Sequence, residues 1–80
     1  MTNESILLTK EYGKISLNLK KIMDENNINR NALARRVNTR FEVIDKWYRN
    51  DVEKIDLDIL ARICFVLKCE VKDILNYESQ

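Results

Sequence analysis

The sequence predicts an all-α domain of five short helices that follows a short extended N-terminal arm. Its 80 residues include no proline and a single glycine. Small all-β domains need many tight turns, which glycine and proline favour, so this composition favours helices. Apolar residues also recur at helical spacing along most of the chain. A chain of this length is expected to form one domain with a core just large enough to fold unaided.

The arm is predicted to cover residues 1–14 and the helical domain residues 15–78. In the arm, ILLTKEYG combines three consecutive apolar residues with a glycine, which indicates an extended segment or a short strand. The first helix follows, with Ser16 as its predicted N-cap. Its apolar residues at helical spacing are Ile15, Leu19, Ile22 and Met23. Asn26 and Asn27 are expected to end it.

Two more short helices are predicted on either side of a sharp turn. Asn29 is the expected N-cap of the second helix. Asn38 can adopt the left-handed backbone conformation that the turn requires. The third helix is predicted over residues 40–48, with Asn50 as its left-handed stop. The inner faces of these two helices hold Leu33, Ala34 and Val37, then Val43, Ile44 and Trp47.

The fourth helix has the clearest pattern in the chain. Asp56 is its predicted N-cap, at the end of a loop that contains DVEKI. Its apolar residues fall at positions i, i+3, i+4 and i+7, namely Leu60, Ile63, Cys64 and Leu67. A short fifth helix is predicted over residues 71–76, with the apolar residues Val71, Ile74 and Leu75. Together these stripes predict one core shared by five helices.

The net charge of +1 conceals an asymmetry along the chain. Residues 1–28 are neutral, residues 29–50 carry a net charge of +4, and residues 51–80 carry −3. The positive residues of the middle segment are Arg30, Arg35, Arg36, Arg40, Lys46 and Arg49. A single face for an anionic ligand produces such a distribution, although a solvated helix face also produces arginine clusters.

No metal, cofactor, small-molecule substrate or membrane contact is expected. The chain has no histidine and no glycine-rich phosphate loop, so an enzyme is the least favoured class. Its two cysteines, Cys64 and Cys69, are five residues apart, which turns side chains well apart on a helix. Buried free thiols are therefore expected rather than a disulfide. Without a membrane-length apolar run or a signal-peptide pattern, the expected location is the cytoplasm.

Residues 29–50 have the arrangement of a helix-turn-helix. Leu33 is followed by the small residue Ala34, which permits the second and third helices to approach closely. Ile44 and Trp47 then anchor the third helix to the core. The residues that face outward on that helix are Arg40, Phe41, Glu42, Asp45, Lys46 and Arg49. In the major groove of B-DNA, arginine and lysine reach guanine, glutamate accepts from cytosine, and an aromatic ring can contact the thymine methyl group.

The same segment, NRNALARRVNTRFEVIDKWYRN, resembles the helix-turn-helix of Cro/C1-type (XRE family) transcriptional regulators. IDLDILARICFVLKCEVKDILNYE resembles that family's fourth and fifth helices, and part of it is similar to a segment that recurs in a branch of very small bacterial regulators. The resemblance covers residues 15–78. It implies a lambda-repressor-like fold and a sequence-specific regulator, a repressor, that binds double-stranded DNA as a homodimer.

The resemblance also implies roles for individual residues. Base reading falls to Arg40, Phe41, Glu42 and Lys46. Contacts with backbone phosphate fall to Asn29, Arg30, Arg35 and Arg49. Asp45 matches a position that modulates binding or contacts the edge of the DNA backbone. Two alternatives stay open for Phe41, whose ring either contacts a base or packs against the edge of the core.

Three positions depart from the family pattern. Asn38 and Asn50 stand where glycine is usual, and Thr39 stands where an apolar residue is usual. Asparagine is the best replacement for glycine at positive φ, whereas Thr39 weakens the packing of the turn. Two acids on the reading face, Glu42 and Asp45, reduce non-specific attraction to phosphate. This favours a protein that depends on matched base contacts, or one that binds DNA weakly by itself.

Some apolar residues have no place in the predicted core. They are Ile59, Phe65 and Val66 on the fourth helix, and Ile6, Leu7 and Leu8 in the arm. Either the arm folds back over its own fourth helix, or these residues form a homodimer interface, which would multiply affinity through two half-sites. An alternative function on the same fold is a protein-interaction module, such as an antitoxin or an accessory partner, with DNA binding secondary.

Overall fold

The computed structural model describes residues 12–79, which form five helices and a two-stranded sheet. In chain order the elements are β1 (Lys14–Leu17), α1 (Leu19–Glu25), α2 (Arg30–Arg36), α3 (Phe41–Tyr48), α4 (Leu57–Leu67), α5 (Val71–Ile74) and β2 (Leu75–Glu78). The five predicted helices are confirmed, and the sheet is an addition to the predicted all-α class. None of the helices in this range is long and apolar enough to cross a membrane. Most of the predicted arm, including Ile6, Leu7 and Leu8, lies outside the described residues.

The sheet joins the two ends of the described chain. β1 pairs antiparallel with β2, so that Ile15 lies opposite Tyr77 and Leu17 lies opposite Leu75. Leu17 and Leu75 pack against the core, whereas Ile15 and Tyr77 are exposed. Residues two positions apart on a strand lie on the same face of the sheet, so these four apolar residues share one face. The core covers that face at Leu17 and Leu75, whereas Ile15 and Tyr77 are exposed to solvent.

The predicted start of the first helix is wrong. Ser16, the expected N-cap, lies in β1 and is buried, and Ile15 is on a strand rather than on a helix. The helix begins at Leu19, with Asn18 as its N-cap. The backbone N–H of Asn18 donates to the carbonyl of Ile74 at 2.7 Å. β2, which is distant in the sequence, supplies backbone hydrogen bonds to β1 that no local pattern predicts. These bonds favour a strand over the helix that the spacing of Ile15 and Leu19 indicates.

The fifth helix is shorter than the predicted range of 71–76. It ends at Ile74, because Leu75 takes an extended conformation with φ −99° and ψ 133° and begins β2. Ile74 is fully buried as expected, whereas Val71 is exposed. The segment therefore changes from helix to strand without an intervening loop, which brings the C-terminal strand beside β1.

The core lies among α1, α2, α3 and α4 and is closed at one end by α5. Its buried residues are Leu19, Met23, Leu33, Ala34, Val37, Ile44, Trp47, Ile59, Leu60, Ile63, Leu67 and Ile74. Val43 and Cys64, which were expected in the core, are half-buried at its edge. Ile59 was expected outside the core but is only 8% exposed. The loop between α3 and α4 packs Val52 and Ile55 against the core, and Val52 and Ile59 line the same pocket.

Local signals at the helix ends are confirmed. The side chain of Asn29 accepts a hydrogen bond from the backbone N–H of Ala32 at 2.8 Å. Asp56 accepts from two backbone N–H groups in the first turn of α4, at 2.8 and 3.2 Å. Asn38 and Asn50 have φ values of 57° and 59°, the left-handed conformation that the sequence predicts for them. These four asparagine and aspartate residues therefore set where the central helices start and stop.

The two cysteines lie closer together than their spacing predicts. α4 ends at Leu67, and Lys68 takes a left-handed conformation with φ 53°. Cys69 consequently folds back, and its backbone N–H donates to the carbonyl of Cys64 at 3.1 Å. Both thiols are free, as predicted, but half-buried rather than buried. Desolvation first, and then the charge and hydrogen bond of Cys64, raise the pKa of Cys69 to about 11.

Candidate nucleic-acid interface

The helix-turn-helix is formed by α2, the turn at Asn38 and α3. Ala34 is 3% exposed where the two helices pack, and its carbonyl accepts from the backbone N–H of Thr39 at 2.9 Å. A second brace comes from α4. The guanidinium of Arg62 donates to the carbonyls of Val37 and Asn38 at 3.0 and 3.4 Å. The turn is therefore supported despite Thr39, because the guanidinium of Arg62 on α4 holds the backbone carbonyls of the turn.

Two buried residues fix the orientation of α3. Ile44 is fully buried and Trp47 is 4% exposed, so this side of the helix is committed to the core. The residues that lie exposed on the rest of α3 and at its ends are Arg40, Phe41, Glu42, Lys46 and Arg49. Arg40 is the N-cap of the helix and Arg49 its C-cap. The side chains assigned to base reading are therefore all exposed, and their role in base reading stays a prediction.

Asp45 lies between two arginines that were assigned to phosphate. Its Oδ1 accepts from Nη1 of Arg30 at 2.6 Å, and its Oδ2 accepts from Nε of Arg49 at 3.0 Å. Desolvation raises the pKa of Asp45, but the hydrogen bonds and charges of Arg49 and Arg30 outweigh it and hold that pKa below its usual value. The carboxylate is therefore charged at neutral pH and links α2 to α3.

Arg30 also contacts two aromatic rings. Its guanidinium carbon lies 5.6 Å from the centre of the Phe41 ring and 4.8 Å from that of Tyr48, distances typical of cation–π contacts. The Arg30 side chain remains 41% exposed. Phe41 is 37% exposed, so its ring both contacts Arg30 and reaches solvent. The carboxylate of Asp45 and the two rings together hold the guanidinium of Arg30 in one place at the junction of α2 and α3.

The network continues to α1 through residues that were not assigned a role from the sequence. The hydroxyl of Tyr48 lies 3.4 Å from Oδ1 of Asp24, and Oδ2 of Asp24 pairs with Nζ of Lys20 at 3.2 Å. The hydrogen bond with Asp24 raises the pKa of Lys20. Sequence reasoning could not find the contacts of Asp24 with Tyr48 and of Arg62 with Val37, because these partners are 24 and 25 positions apart along the chain.

The remaining site residues are placed without ion pairs. Asn29 is exposed at the start of α2, where its side-chain oxygen is used for capping. Arg35 is exposed in the last turn of α2. Within residues 12–79, no carboxylate forms a salt bridge with Arg35, Arg40 or Lys46. Their roles stay predictions, and these three cationic side chains are the ones most open to an anionic ligand.

A family model for the Cro/C1-type HTH DNA-binding domain matches residues 18–80. Two solved structures share the fold. The transcriptional regulator VanUg is 24% identical, with a TM-score of 0.69, 88% of this chain covered and 92% of that one. A candidate DNA-binding protein from Bacteroides fragilis is 19% identical, with a TM-score of 0.70, 79% of this chain covered and 100% of that one. No curated protein sequence matches the chain. Because the family model spans most of its length, the protein belongs to the Cro/C1-type helix-turn-helix family of DNA-binding domains.

Proposed function

We propose that the protein is a sequence-specific regulator of transcription that reads the major groove of double-stranded DNA with α3. The observation that supports this most is the division of α3 into a buried side, at Ile44 and Trp47, and a polar exposed side. A helix held in this way presents its exposed side chains in fixed register, which sequence discrimination requires. We further propose that it acts in the bacterial cytoplasm as a repressor, since occupying a promoter is enough to exclude polymerase.

The exposed side of α3 divides into groups with different tasks. Arg40, Phe41, Glu42 and Lys46 are proposed to contact base edges. Lysine and arginine suit guanine, and Glu42 suits the cytosine amino group. The ring of Phe41 is a candidate for a thymine methyl group, while its contact with Arg30 supports a second task in positioning that arginine.

The proposed phosphate contacts flank the reading surface. Asn29, Arg30, Arg35 and Arg49 would hold the DNA backbone and set the register of α3 without carrying sequence information. Asn29 keeps its side-chain N–H donors, because only its oxygen is used in capping. Arg49 is shared with Asp45 and with Asp51, at 3.0 and 3.6 Å.

A binding selection from a random duplex library at near-physiological salt tests this function. The expected result is an enriched motif, and a reporter with that motif across its promoter should lose expression. The matched control is the triple variant Arg40→Ala, Glu42→Ala and Lys46→Ala, which changes the reading surface and leaves Ile44 and Trp47 in place. If wild type enriches no motif, or if the triple variant enriches the same motif equally well, the proposed function or the proposed reading surface is wrong.

We also propose that the protein binds DNA as a homodimer. Apolar side chains on α4 and β2 support this, since Phe65 is 84% exposed, Leu57 77% and Tyr77 58%. A dimer should select a palindrome with half-sites about 10 base pairs apart, whereas a monomer should select a single half-site. Sedimentation equilibrium measures the association directly, and Phe65→Ser should weaken it if α4 forms the interface. A monomer at all concentrations tested would contradict the dimer.

The alternative function is a protein-interaction module. The shallow groove beside Phe65 favours it, because the groove combines apolar Val37, Ala61 and Val66 with two cationic side chains. A stoichiometric partner that co-purifies with wild type but not with Phe65→Ser, together with no enriched duplex, would favour this function over DNA reading.

A further inference from the structure

We propose that Asp45 is an internal competitor for backbone phosphate. It holds Arg30 and Arg49 in the free protein, and a phosphate of a bound duplex takes its place. This inference rests on the proposed DNA-binding function and assigns one residue the task of limiting attraction to DNA of any sequence.

The geometry of the Asp45 carboxylate matches that of the anion it would be exchanged for. Each of its oxygens accepts from a different arginine, at 2.6 Å for Arg30 and 3.0 Å for Arg49. A phosphate group likewise presents separate oxygens that accept charge-assisted hydrogen bonds from guanidinium donors. The carboxylate side chain is 21% exposed, whereas Arg30 and Arg49 are 41% and 51% exposed. The arginines therefore offer donors to solvent while the aspartate lies behind them.

Arg30 stays in position if the carboxylate is displaced. The rings of Phe41 and Tyr48 contact its guanidinium independently of Asp45, at 5.6 and 4.8 Å. Tyr48 is in turn positioned by Asp24 on α1. A phosphate therefore meets a guanidinium that is already oriented, so that the main cost of binding is the loss of the ion pairs with Asp45.

This competition acts on every duplex alike. Two exposed ion pairs must be weakened before both arginines can be used for phosphate, whatever the base sequence. On the matched site, base contacts from the rest of α3 offset the loss, whereas on other duplexes nothing does. Asp45 therefore weakens binding to DNA of every sequence, so that only a duplex that also offers matched base contacts is bound tightly.

The test compares Asp45→Asn with Glu42→Gln on a duplex that lacks the selected motif. Both variants remove one negative charge from α3, but only Asp45→Asn removes the carboxylate that pairs with Arg30 and Arg49. From the usual strength of two exposed ion pairs, Asp45→Asn should tighten non-specific binding about two- to thirtyfold. Glu42→Gln should tighten it about twofold at most, because its charge is exposed and screened. Equal gains in the two variants would mean a general charge effect and would overturn the inference.

A second measurement uses wild type, so that the inference stays testable if Asp45→Asn does not fold. The carboxyl carbon-13 chemical shift of Asp45 should change when the duplex is added, while that of Asp58, which pairs with Arg62 on α4, should not. An Asp45 signal that does not move in the bound state overturns the inference while the proposed function stands. A wild-type chain that binds no duplex overturns the proposed function, and this inference with it.

Discussion

Asparagine occupies three helix ends that need a left-handed residue. Asn27, Asn38 and Asn50 have φ values of 51°, 57° and 59°. Among residues with a side chain, asparagine adopts this conformation most readily, because its short amide forms local hydrogen bonds. These three turns are therefore made without glycine, whereas the left-handed Lys68 at the end of α4 carries no such signal in the sequence.

At the residue scale, Lys46→Ala and Glu42→Ala test the reading surface. Each should weaken binding to the selected site by about 1–3 kcal/mol and relax preference at one base pair, as expected for a side chain that contacts a base edge. Affinities for the site and for its single-base substitutions measure both effects. A loss that is the same for every substituted site would instead indicate a phosphate contact or a change in folding.

Cys69 is expected to be a slow nucleophile near neutral pH. Its pKa is raised to about 11 in the folded protein, so the neutral thiol is favoured by folding. That contribution to stability is complete below the pKa of the unfolded thiol, about 8.5, and is lost as the pH rises through about 11. Peptide-resolved alkylation should therefore show a midpoint for Cys69 near pH 11, against about 8.5 in denaturant. The same midpoint in both states would contradict this.

At the scale of elements, the side chains of Asn29 and Asp56 cap the starts of α2 and α4, whereas α1 and α3 have no side-chain cap. α4 is the longest helix, and its Asp56 cap satisfies two backbone N–H groups. The same helix supplies Arg62, which braces the helix-turn-helix turn through the carbonyls of Val37 and Asn38. The stability of α4 therefore bears directly on the position of α3.

Removing the cap of α4 should destabilise the whole protein. Asp56→Ala should lower the free energy of unfolding by about 1 kcal/mol, because no side chain then accepts from the first turn. Asp56→Ser is the matched control, since serine caps nearly as well and carries no charge. Urea unfolding of the two variants measures the difference. Equal losses would show that the charge of Asp56, rather than its capping, stabilises the helix.

Asn50 links the end of α3 to the sheet. Its side-chain oxygen accepts from the backbone N–H of Leu17 at 2.8 Å, and its own backbone is left-handed. Asn50→Gly should cost about 0.5–1.5 kcal/mol, because the hydrogen bond is lost while the backbone is relieved. Asn50→Ala should cost about 1 kcal/mol more, because alanine resists positive φ.

Urea unfolding gives both values, and amide exchange at Leu17 should quicken in both variants. If the exchange of the Leu17 amide is unchanged in both, the link between α3 and β1 does not contribute to the stability of the strand.

At the scale of the whole molecule, the segments of opposite net charge form different elements of the fold. The segment with net charge +4 forms α2, the turn and α3, and the segment with −3 forms the elements from α4 onwards. We expect this distribution of charge to orient the molecule as it approaches DNA. It also makes the affinity dependent on salt, through release of counterions from the duplex.

Arg35→Ala should reduce the salt dependence of binding. In a plot of log affinity against log salt concentration, the slope should fall in magnitude by about 0.9, the value for one phosphate contact. Lys72→Ala is the matched control, because it removes one positive charge from α5, on the acidic part of the chain. Its slope should equal that of wild type. The same decrease in both variants would mean that net charge alone, and not a contact by Arg35, sets the salt dependence.

The sequence by itself determined the features that depend on neighbours along the chain. Five helices, the caps Asn29 and Asp56, the left-handed Asn38 and Asn50, and the inward Ile44 and Trp47 follow from spacing, capping and backbone preference, each settled within one or two helical turns. The outward side of α3 follows from the same periodicity, whereas the assignment of its residues to base reading comes from the resemblance to the Cro/C1-type family.

Tertiary structure alone decided the features whose partners are distant in sequence. β1 replaces the predicted start of the first helix because it pairs with the far end of the described chain, and Ile59 is buried although the sequence pattern placed it outside the core. The ion pairs that Asp45 makes with Arg30 and Arg49, and the aromatic contacts of Arg30, join α2 to α3 in the same way. Such pairs form only when packing brings separate elements together, and local sequence patterns carry no record of them.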